Sequence, residues 1–385
     1  DKYATLKMSL SPQGIQTMVF RAERPDEFME PYSKDHTVYS VYSSHREKGS
    51  LPWTCSTPDK ETAADLGGKI ASNGLTGSSA GQLKTLRLAQ SCTGEYANFF
   101  GASTAGTAAD QAIVLTAFNN TLTRVNGVFE KDLALHLNLI SGTTSVIYYN
   151  PATDPYASVT NALAPPSSWN SSLMNTLHTV LGDAAFDIGH LFGASGGGGN
   201  AGCIGCVCSN TLATGVSANS ATANYKGSGI TSPATGTVNP SAAFPPAGDG
   251  FDIDYVAHEM GHQLGANHTF SMSLEGTGVN MEVGSGITIM GYAGITSQDV
   301  APHSIDIFHT ASIRQIQANM ATKTCPVTVA MTANTAPAVG ALTNYTIPIS
   351  TPFALTGTAT DPENDPLTYC WEQIDNSTTS GTSSV

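Results

Sequence analysis

Apolar and polar residues alternate in short runs along the first 50 residues of the chain. The clearest runs cover residues 3–10 and 37–42. A period of two is typical of strands that bury one face and expose the other. The pattern therefore predicts a β-rich N-terminal segment over residues 1–55. Residues 56–82, which are polar and rich in Gly and Ser, are predicted to be a linker.

From Leu83 onward, sequence patterns typical of strands alternate with patterns typical of helices. Apolar residues at every second position predict strands, and apolar residues at helical spacing predict the helices between them. The strands are predicted over residues 84–92, 133–140 and 186–192, and the helices over 105–128 and 171–181. This order predicts an α/β arrangement in which helices pack on a mixed sheet.

Another helix is predicted to begin near Asp252. Asp252 or Asp254 can accept hydrogen bonds from the backbone N–H groups of its first turn. The buried stripe of this helix is predicted to consist of Val256, Met260 and Leu264. A last helix is predicted over residues 304–321. Together these elements define a predicted α/β domain over residues 83–327.

The character of the sequence changes again after this domain. Residues 328–340 are an Ala-, Thr- and Pro-rich linker, and residues 341–385 hold several strand-like runs. These runs amount to about half of a small β-sandwich, which normally needs roughly 100 residues. We therefore expect a partial Ig-like β-module, that is, a β-sandwich fragment. Its acidic residues form either a calcium site or an ordinary acidic turn; they are Asp361, Glu363 and Asp365.

Composition and charge narrow the classes of protein that fit this pattern. Only 12% of the residues are charged, about half the usual share near 25%. The net charge is −14, whereas a nucleic-acid-binding protein needs a basic stripe. No apolar run approaches the roughly 18 residues that a membrane helix needs. We expect a monomer that has neither a nucleic acid nor a membrane as its partner.

Seven cysteines are spread over the chain, at positions 55, 92, 203, 206, 208, 325 and 370. Because seven is odd, at least one of them has no partner within the chain. The spread is typical of disulfide bonding in an oxidising compartment, so we expect a secreted, extracellular protein. Disulfides are also the better interpretation of Cys203, Cys206 and Cys208, since a second zinc site would need a fourth ligand nearby.

The strongest chemical motif begins at His258. His258 and His262 are four apart on a predicted helix, so both imidazoles lie on one face and can share a metal ion. Glu259 lies beside them and can take a proton from a metal-bound water. Gly265 allows the helix to end and the chain to turn back, which brings His268 to the same metal.

Three neutral imidazoles with an open coordination position suit catalytic zinc, which lowers the pKa of bound water to about 7 and polarises a carbonyl. With Glu259 as the base, this is the chemistry of peptide hydrolysis. Five fixed residues at these spacings occur by chance about once in ten million windows. We therefore predict a zinc-dependent endopeptidase for extended polypeptides. The alternative is a catalytically silent or latent extracellular binding or adhesion protein on the same scaffold, and the intact Glu259 argues against silence.

Met290 extends the motif, because it follows His268 in an apolar run. A methionine in such a run is usually a core residue. At this position after a zinc motif, a turn that supports the metal site from below is the better interpretation.

With these motifs, residues 83–325 resemble a metzincin zinc metalloprotease of the reprolysin/adamalysin kind, closest to its bacterial secreted members. The resemblance rests on the zinc motif with its Met-turn, on residues 187–192 followed by 199–208, and on Cys325. It implies a twisted mixed sheet with helices, an upper subdomain with the zinc helix and a smaller subdomain with the Met-turn. Substrate would lie in the cleft between them.

The resemblance also implies roles for single residues. Tyr292 is similar to the tyrosine that astacin- and serralysin-type metzincins place near zinc, as an extra ligand or an oxyanion contact; the other interpretation is a packed core tyrosine. Cys325 should pair with Cys208. Cys203 and Cys206 are extra to the basic pattern. Substrate should pair with the sheet edge as an added strand; the edge residues are Asn200, Ala201, Gly202 and Ile204.

Residues 1–55 resemble the end of a propeptide, which leaves two interpretations of Cys55. As a thiolate it can replace water on zinc and hold the enzyme latent. As the disulfide partner of Cys92 it ties the N-terminal segment to the first strand of the domain. Counting favours the disulfide, because the pairs 55–92, 203–206 and 208–325 leave only Cys370 over.

Overall fold

The structure, a computed structural model, describes most of the chain. The described residues are 3–22, 24–33, 35–43, 55–57, 81–156, 168–195, 198–211, 224–232 and 245–381. Most of the predicted linker 56–82 lies outside the described residues, so that prediction stays untested.

The N-terminal segment forms a four-stranded sheet, which confirms the β-rich prediction. The strands are β1 Thr5–Ser11, β2 Gly14–Phe20, β3 Glu27–Pro31 and β4 Tyr39–Ser43. They pair antiparallel in sequence order. Gly14 ends the first turn with a φ of 106°, a conformation that favours glycine. Met18, Phe20 and Phe28 on the inner face are buried in the main core, so the sheet packs on the rest of the protein.

A second, six-stranded sheet forms the middle of the molecule. The strands that follow along the chain are β5 Gln82–Cys92, β6 Leu135–Leu139, β7 Ile188–Phe192, β8 Gly198–Asn200, β9 Asn210–Thr211, β10 Asn224–Tyr225, β11 Gly229–Ser232 and β12 Val327–Ala330. The parallel strands β6, β5, β7 and β11 are extended by antiparallel β8 and β12, while β9 and β10 pair separately. The predicted mixed sheet is confirmed.

Helices pack on this sheet as the apolar spacing predicted. The α-helices of the described residues are α1 Gly94–Phe99, α2 Ala108–Val128, α3 Ser168–Val180, α4 His258–Leu264 and α5 Thr310–Ala321. Helix α2 begins at a capping box, in which Thr107 and Asp110 each bind the other's backbone N–H. Within the described ranges, no helix is both long and apolar enough to cross a membrane.

Helix α4 continues a π-helical stretch, Gly250–Ala257, so the chain enters the centre of the protein as one helical rod. Its predicted buried stripe is in place, because all three side chains are fully buried; they are Val256, Met260 and Leu264. The predicted cap is wrong for both candidates. Among the described residues, no side chain caps the helical rod, which begins at Gly250, and the Asp254 carboxylate accepts from the Ser304 hydroxyl. Asp252 accepts from the Thr121 hydroxyl and the Arg124 guanidinium, because a buried cation attracts the carboxylate more strongly than a backbone N–H does.

The last helix starts later than the predicted 304–321, at Thr310. The residues before it are not helical, because Ile305 N donates to Ile287 O. The His309 side chain then accepts from the first turn and begins the helix. This arrangement holds the chain before α5 against the segment that leads to Met290.

The predicted C-terminal β-module is not formed among the described residues. In this region only β13 Ala338–Val339 and β14 Ala359–Thr360 pair with each other. A strand-like sequence becomes a strand only where a partner satisfies its backbone groups. Ile349 and Phe353 consequently stay 97% and 68% exposed. Residues 328–330, predicted to be linker, belong to β12, whose alternating Val-Thr-Val pairs with β5.

Arg124 on α2 joins the N-terminal sheet to the helical rod. Its buried guanidinium donates to Asp252 at 2.8 Å and to Glu30 at 3.0 Å. It also lies 4.9 Å from the ring centroid of Phe28. Burial raises the pKa of Asp252 to about 6, against the lowering effect of Arg124. The buried Asp252 carboxylate therefore depends on the Arg124 guanidinium to stay ionised.

We expect Arg124→Ala to lower the free energy of unfolding by about 3–5 kcal/mol, because Asp252 is left as an uncompensated buried charge. Glu30→Ala is the matched control. It removes the half-exposed partner of the same guanidinium, and such pairs contribute roughly 0–1 kcal/mol. Urea unfolding of both variants measures the difference, and equal losses would contradict the assignment.

Candidate metal centre

Three histidine side chains converge where helix α4 ends. His258 and His262 lie on α4, and His268 lies on the segment that follows it. The Nε2 atoms of His262 and His268 are 3.1 Å apart. The ligand atoms of the three histidines and of Cys55 all lie within 4.8 Å of one another, and all four residues are buried. Over the described ranges, this is the one group of His, Cys, Asp or Glu that is spaced to hold a metal ion.

Backbone carbonyls fix the two imidazoles of the helix. His258 Nδ1 donates to Ile289 O and His262 Nδ1 donates to Ala266 O, each at 2.7 Å. A carbonyl oxygen only accepts, so Nδ1 carries the proton of each neutral ring and Nε2 carries a lone pair. Burial lowers the pKa of His258 to about 3, which keeps its ring neutral. Both rings therefore have the tautomer that a metal needs.

Glu275 fixes the third imidazole in the same way. Its Oε1 lies 3.2 Å from His268 Nδ1, and a carboxylate likewise accepts. With both rings neutral, the Nε2 atoms of His262 and His268 face each other with lone pairs, 3.1 Å apart. A cation accepts both lone pairs. Three imidazoles, with or without a thiol, are ligands that tetrahedral zinc prefers, so the residues present fit this metal.

Two glycines of α4 make the convergence possible. Gly265 has a φ of 129° and donates to Gly261 O, which ends the helix and turns the chain back towards His268. Gly261 lies directly on the Met-turn, since a Cβ there would stand 2.7 Å from Met290 Sδ. Met290 is fully buried. It therefore supports the turn of helix between His258 and His262 from below.

Cys55 lies at this cluster, and its Sγ is 3.6 Å from His262 Nε2. Cys55 and Cys92 are both free thiols, so the expected Cys55–Cys92 disulfide is wrong. A count of cysteines carries no information about which of them lie close together in the fold. Cys92 is buried on β5, where its Sγ lies near Tyr148 O. Burial, followed by the charge of Glu259, raises the pKa of the Cys55 thiol to about 11, whereas a bound metal ion deprotonates a coordinating thiol.

The other expected disulfides are formed. Cys203 pairs with Cys206, and Cys208 pairs with Cys325. The second bond ties the end of α5 to the loop after β8. Cys370 is a free, exposed thiol.

Glu259 is fully buried between α4 and strand β8. Its carboxylate accepts from the Thr57 hydroxyl at 2.9 Å. Burial raises the pKa of Glu259 to about 7, while Thr57 and Cys55 lower it. The backbone of Gly199 passes so close that a Cβ there would stand 2.1 Å from the Glu259 Oε1 atom. Only glycine at 199 leaves room for the carboxylate beside the sheet edge.

Residues 55–57 run along strand β8. Cys55 forms a parallel bridge with Gly199, and Ser56 N donates to Gly199 O at 2.9 Å. Asn200 Nδ2 donates to Ser56 O at 3.2 Å, and Ala201 N donates to Thr57 Oγ1 at 2.7 Å.

Two of the four predicted edge residues, Asn200 and Ala201, thus contact the N-terminal segment. Gly202 N donates to Asn200 Oδ1, and Ile204 is buried in the turn that follows. Gly199, which the sequence did not single out as an edge residue, adds a backbone contact through its carbonyl.

The Tyr292 ring packs beside His258 and His268 of the cluster. Its ring centroid lies 4.8 Å from that of His268 and 4.6 Å from that of Phe270. Its hydroxyl donates to Cys55 O at 3.4 Å, so the polar end points at the segment beside the histidines. Burial, and then Cys55, raise the pKa of Tyr292.

Sequence reasoning missed Gln263 and Glu275. Gln263 Oε1 lies 2.8 Å from His190 Nδ1, and His190 Nε2 lies 2.8 Å from the Thr231 hydroxyl. This buried network ties α4 to β7 and β11, and so sets the distance between the histidines and the sheet edge. The only sequence signal for Gln263 is its place next to His262, and Glu275 has no pattern that marks it.

The acidic residues at 361–365 form a turn. Asp361 Oδ1 accepts from the backbone N–H groups of Glu363 and Asp365, each at 2.9 Å. Glu363 accepts from the Thr335 hydroxyl at 2.8 Å. Within the described part of the chain these acids do not converge as a metal cluster. The acidic-turn interpretation matches the structure, and the calcium prediction is not supported.

Comparison with known proteins agrees with this geometry. Residues 82–320 match a family model described as metallo-peptidase family M12B, reprolysin-like. The match begins at β5, includes the three histidines, Glu259 and Met290, and reaches into α5. No curated protein matches the chain.

We expect zinc to raise the melting temperature of the chelator-treated chain, because a ligand that binds only the folded state stabilises it by about 2.7 kcal/mol at 100 times its Kd. His262→Ala should remove this zinc-dependent increase. His178→Ala, at a half-exposed histidine on α3, should keep it. Thermal unfolding with and without zinc measures the effect. An identical melting temperature in both conditions for the unaltered chain would count against a metal site.

Proposed function

The chain belongs to the reprolysin-like M12B metallopeptidase family, and on this premise we propose that it is a secreted zinc-dependent endopeptidase. The proposed reaction is hydrolysis of peptide bonds in extended polypeptides. The observation that carries the proposal is the place of Glu259, which follows the ligand His258 on α4 and whose carboxylate lies directly against the backbone of Gly199 at the sheet edge. Base, metal ligands and a strand for substrate pairing thus meet at one point.

His258, His262 and His268 are the proposed zinc ligands. When bound there, zinc supplies a Lewis acid that activates water and polarises the substrate carbonyl. Glu259 takes the proton of the attacking water and delivers it to the leaving amine. The Tyr292 hydroxyl, which now donates to a peptide carbonyl, that of Cys55, steadies the oxygen that gains negative charge.

Strand β8 is the proposed substrate rim. An extended substrate adds to an open sheet edge through main-chain hydrogen bonds, which hold the scissile bond in place with little dependence on sequence. Gly199 O and Ala201 N are the backbone groups on this rim that residues 55–57 now engage. Because Gly199 has no side chain, a substrate backbone can reach the Glu259 carboxylate.

The N-terminal segment makes the described chain a latent form of this enzyme. Cys55 Sγ lies among the zinc ligands, and Thr57 covers Glu259. The segment also takes the Gly199 carbonyl that a substrate would use. One short stretch therefore blocks the metal, the base and the rim together. The disulfides support placement in an oxidising, extracellular compartment.

A catalytically silent binding protein on the same scaffold is the competing function. Such a protein has no need of a base, and burying a carboxylate away from water is costly even where a hydroxyl donates to it. Glu259 is nevertheless fully buried, and the residue beside its carboxylate is a glycine, Gly199, whose lack of a side chain makes room for it. This observation favours the enzyme.

We expect Glu259→Gln to reduce casein hydrolysis by the N-terminally processed chain by at least about 100-fold, which is the lower range for loss of a general base. Zinc affinity should be unchanged, because Glu259 is not a proposed ligand. Activity is measured with and without a chelator. Wild-type hydrolysis that survives both the chelator and the substitution would contradict the proposal.

We expect Cys55→Ala to raise the activity of the unprocessed chain by at least about tenfold, since each 1.4 kcal/mol lost from the blocked state is a factor of ten. Cys370→Ala, at the exposed thiol far from the cluster, is the matched control and should leave latency intact. Equal activity of the Cys55→Ala and unaltered chains would show that the thiol does not hold the site closed.

A further inference from the structure

The C-terminal segment 372–381 lies against the loop that carries the third histidine. Glu372 Oε2 accepts from Thr310 N at 2.7 Å, at the start of α5. At the other end, Gly381 N donates to Ser271 O at 3.1 Å and Gly381 O accepts from Gly284 N at 3.2 Å. The segment is therefore fixed at both ends, and it lies outside the residues 82–320 that the family model covers.

Asn280 is the point at which the segment engages the loop. Its backbone N–H donates to Asn376 Oδ1 at 3.0 Å, and its carbonyl accepts from Ser377 N at 2.8 Å. Both backbone groups of Asn280 are thus bonded to neighbouring residues of the segment. Asn280 is 2% exposed and Ser377 is 5% exposed, so the backbone bond between them is shielded from water. The Asn376 side chain is itself exposed, and its bond reaches the buried N–H group of Asn280 from the surface.

The Asn280 side chain binds the backbone of both residues that contact the His268 ring, Glu275 and Phe270. Its Oδ1 accepts from Glu275 N at 3.2 Å, and its Nδ2 donates to Phe270 O at 2.7 Å. Glu275 in turn binds His268 Nδ1. The Phe270 ring stacks on the His268 imidazole, with centroids 4.9 Å apart and planes at 23°. Asn280 therefore sets both the hydrogen-bond partner and the stacking partner of this ring.

We propose that Asn376 is a positioning residue for the metal centre, which acts through Asn280 to orient His268. The C-terminal segment then helps to hold the geometry of the metal centre. The proposal rests on the zinc-binding part of the proposed function and does not depend on peptide hydrolysis. Loss of a residue that orients a ligand lowers metal affinity by about 10–100-fold. Asn376 acts through Asn280, so its loss should lower zinc affinity by an amount at the lower end of that range.

The test compares zinc affinity across variants of the full chain, by competition with a chromophoric chelator. Asn376→Ala removes the acceptor for Asn280 N and should weaken zinc binding by about tenfold. Asn376→Asp keeps an acceptor oxygen at the same place and should restore affinity close to that of the unaltered chain. Asp375→Ala is the matched control, because the exposed Asp375 contacts Gln373 within the same segment.

Cobalt substitution supplies a second readout that general destabilisation does not change. The visible absorption of bound Co²⁺ depends on the geometry of its ligands. Asn376→Ala should shift this spectrum, and Asp375→Ala should not. Circular dichroism of the metal-free variants checks that each is folded.

The outcomes separate the two claims. Zinc affinity and a cobalt spectrum that are unchanged in Asn376→Ala would overturn the positioning role and leave the proposed enzyme standing. An unaltered chain that binds no zinc would overturn both. Weakened binding in Asn376→Ala that Asn376→Asp restores supports the role.

Discussion

Three buried imidazoles with their Nε2 atoms turned towards one point form an arrangement that a bound cation stabilises. Each ring has its Nδ1 committed to an oxygen, that of Ile289, Ala266 or Glu275, so each neutral ring holds its proton away from that point. Without a positive charge between them, the Nε2 lone pairs repel each other in a site that excludes water. Much of the surrounding structure serves this convergence. Gly265 turns the chain, Gly261 admits the Met-turn, and Gln263 holds the helix at a set distance from the sheet.

The same convergence carries the proposed latency of the chain. A thiol beside three imidazoles offers a fourth ligand for zinc, and residues 55–57 also cover Glu259 and the sheet edge. The contact at Cys55 is small, whereas Arg124 and the buried face of the N-terminal sheet attach that sheet to the rest of the protein. We therefore expect the N-terminal sheet to contribute to latency together with the sulfur atom.

The sequence predicted most where structure depends on near neighbours. The spacing of His258, His262 and His268, the helix stop at Gly265 and the alternating strands of the central sheet are local patterns, and the structure has them. Contacts between segments that are distant along the chain produce no comparable sequence pattern. Counting favoured the disulfide over the zinc-binding thiol for Cys55, and position made Asp252 a candidate cap. No pattern marked Glu275 or Asn376. The partners of these residues are set by the tertiary fold. The strand-like runs after residue 341 show the converse, since a local pattern without a pairing partner does not make a sheet.

X-ray absorption at the zinc edge of the full, unprocessed chain identifies the atoms that bind the metal. We expect three nitrogen ligands near 2.0–2.1 Å and one sulfur near 2.3 Å, the usual zinc distances for imidazole and thiolate, which are about 0.2–0.3 Å apart. The sulfur should disappear in Cys55→Ala while the three nitrogens remain. A zinc ion with no sulfur ligand in the unprocessed chain, or with fewer than three nitrogens, would contradict this set of ligands.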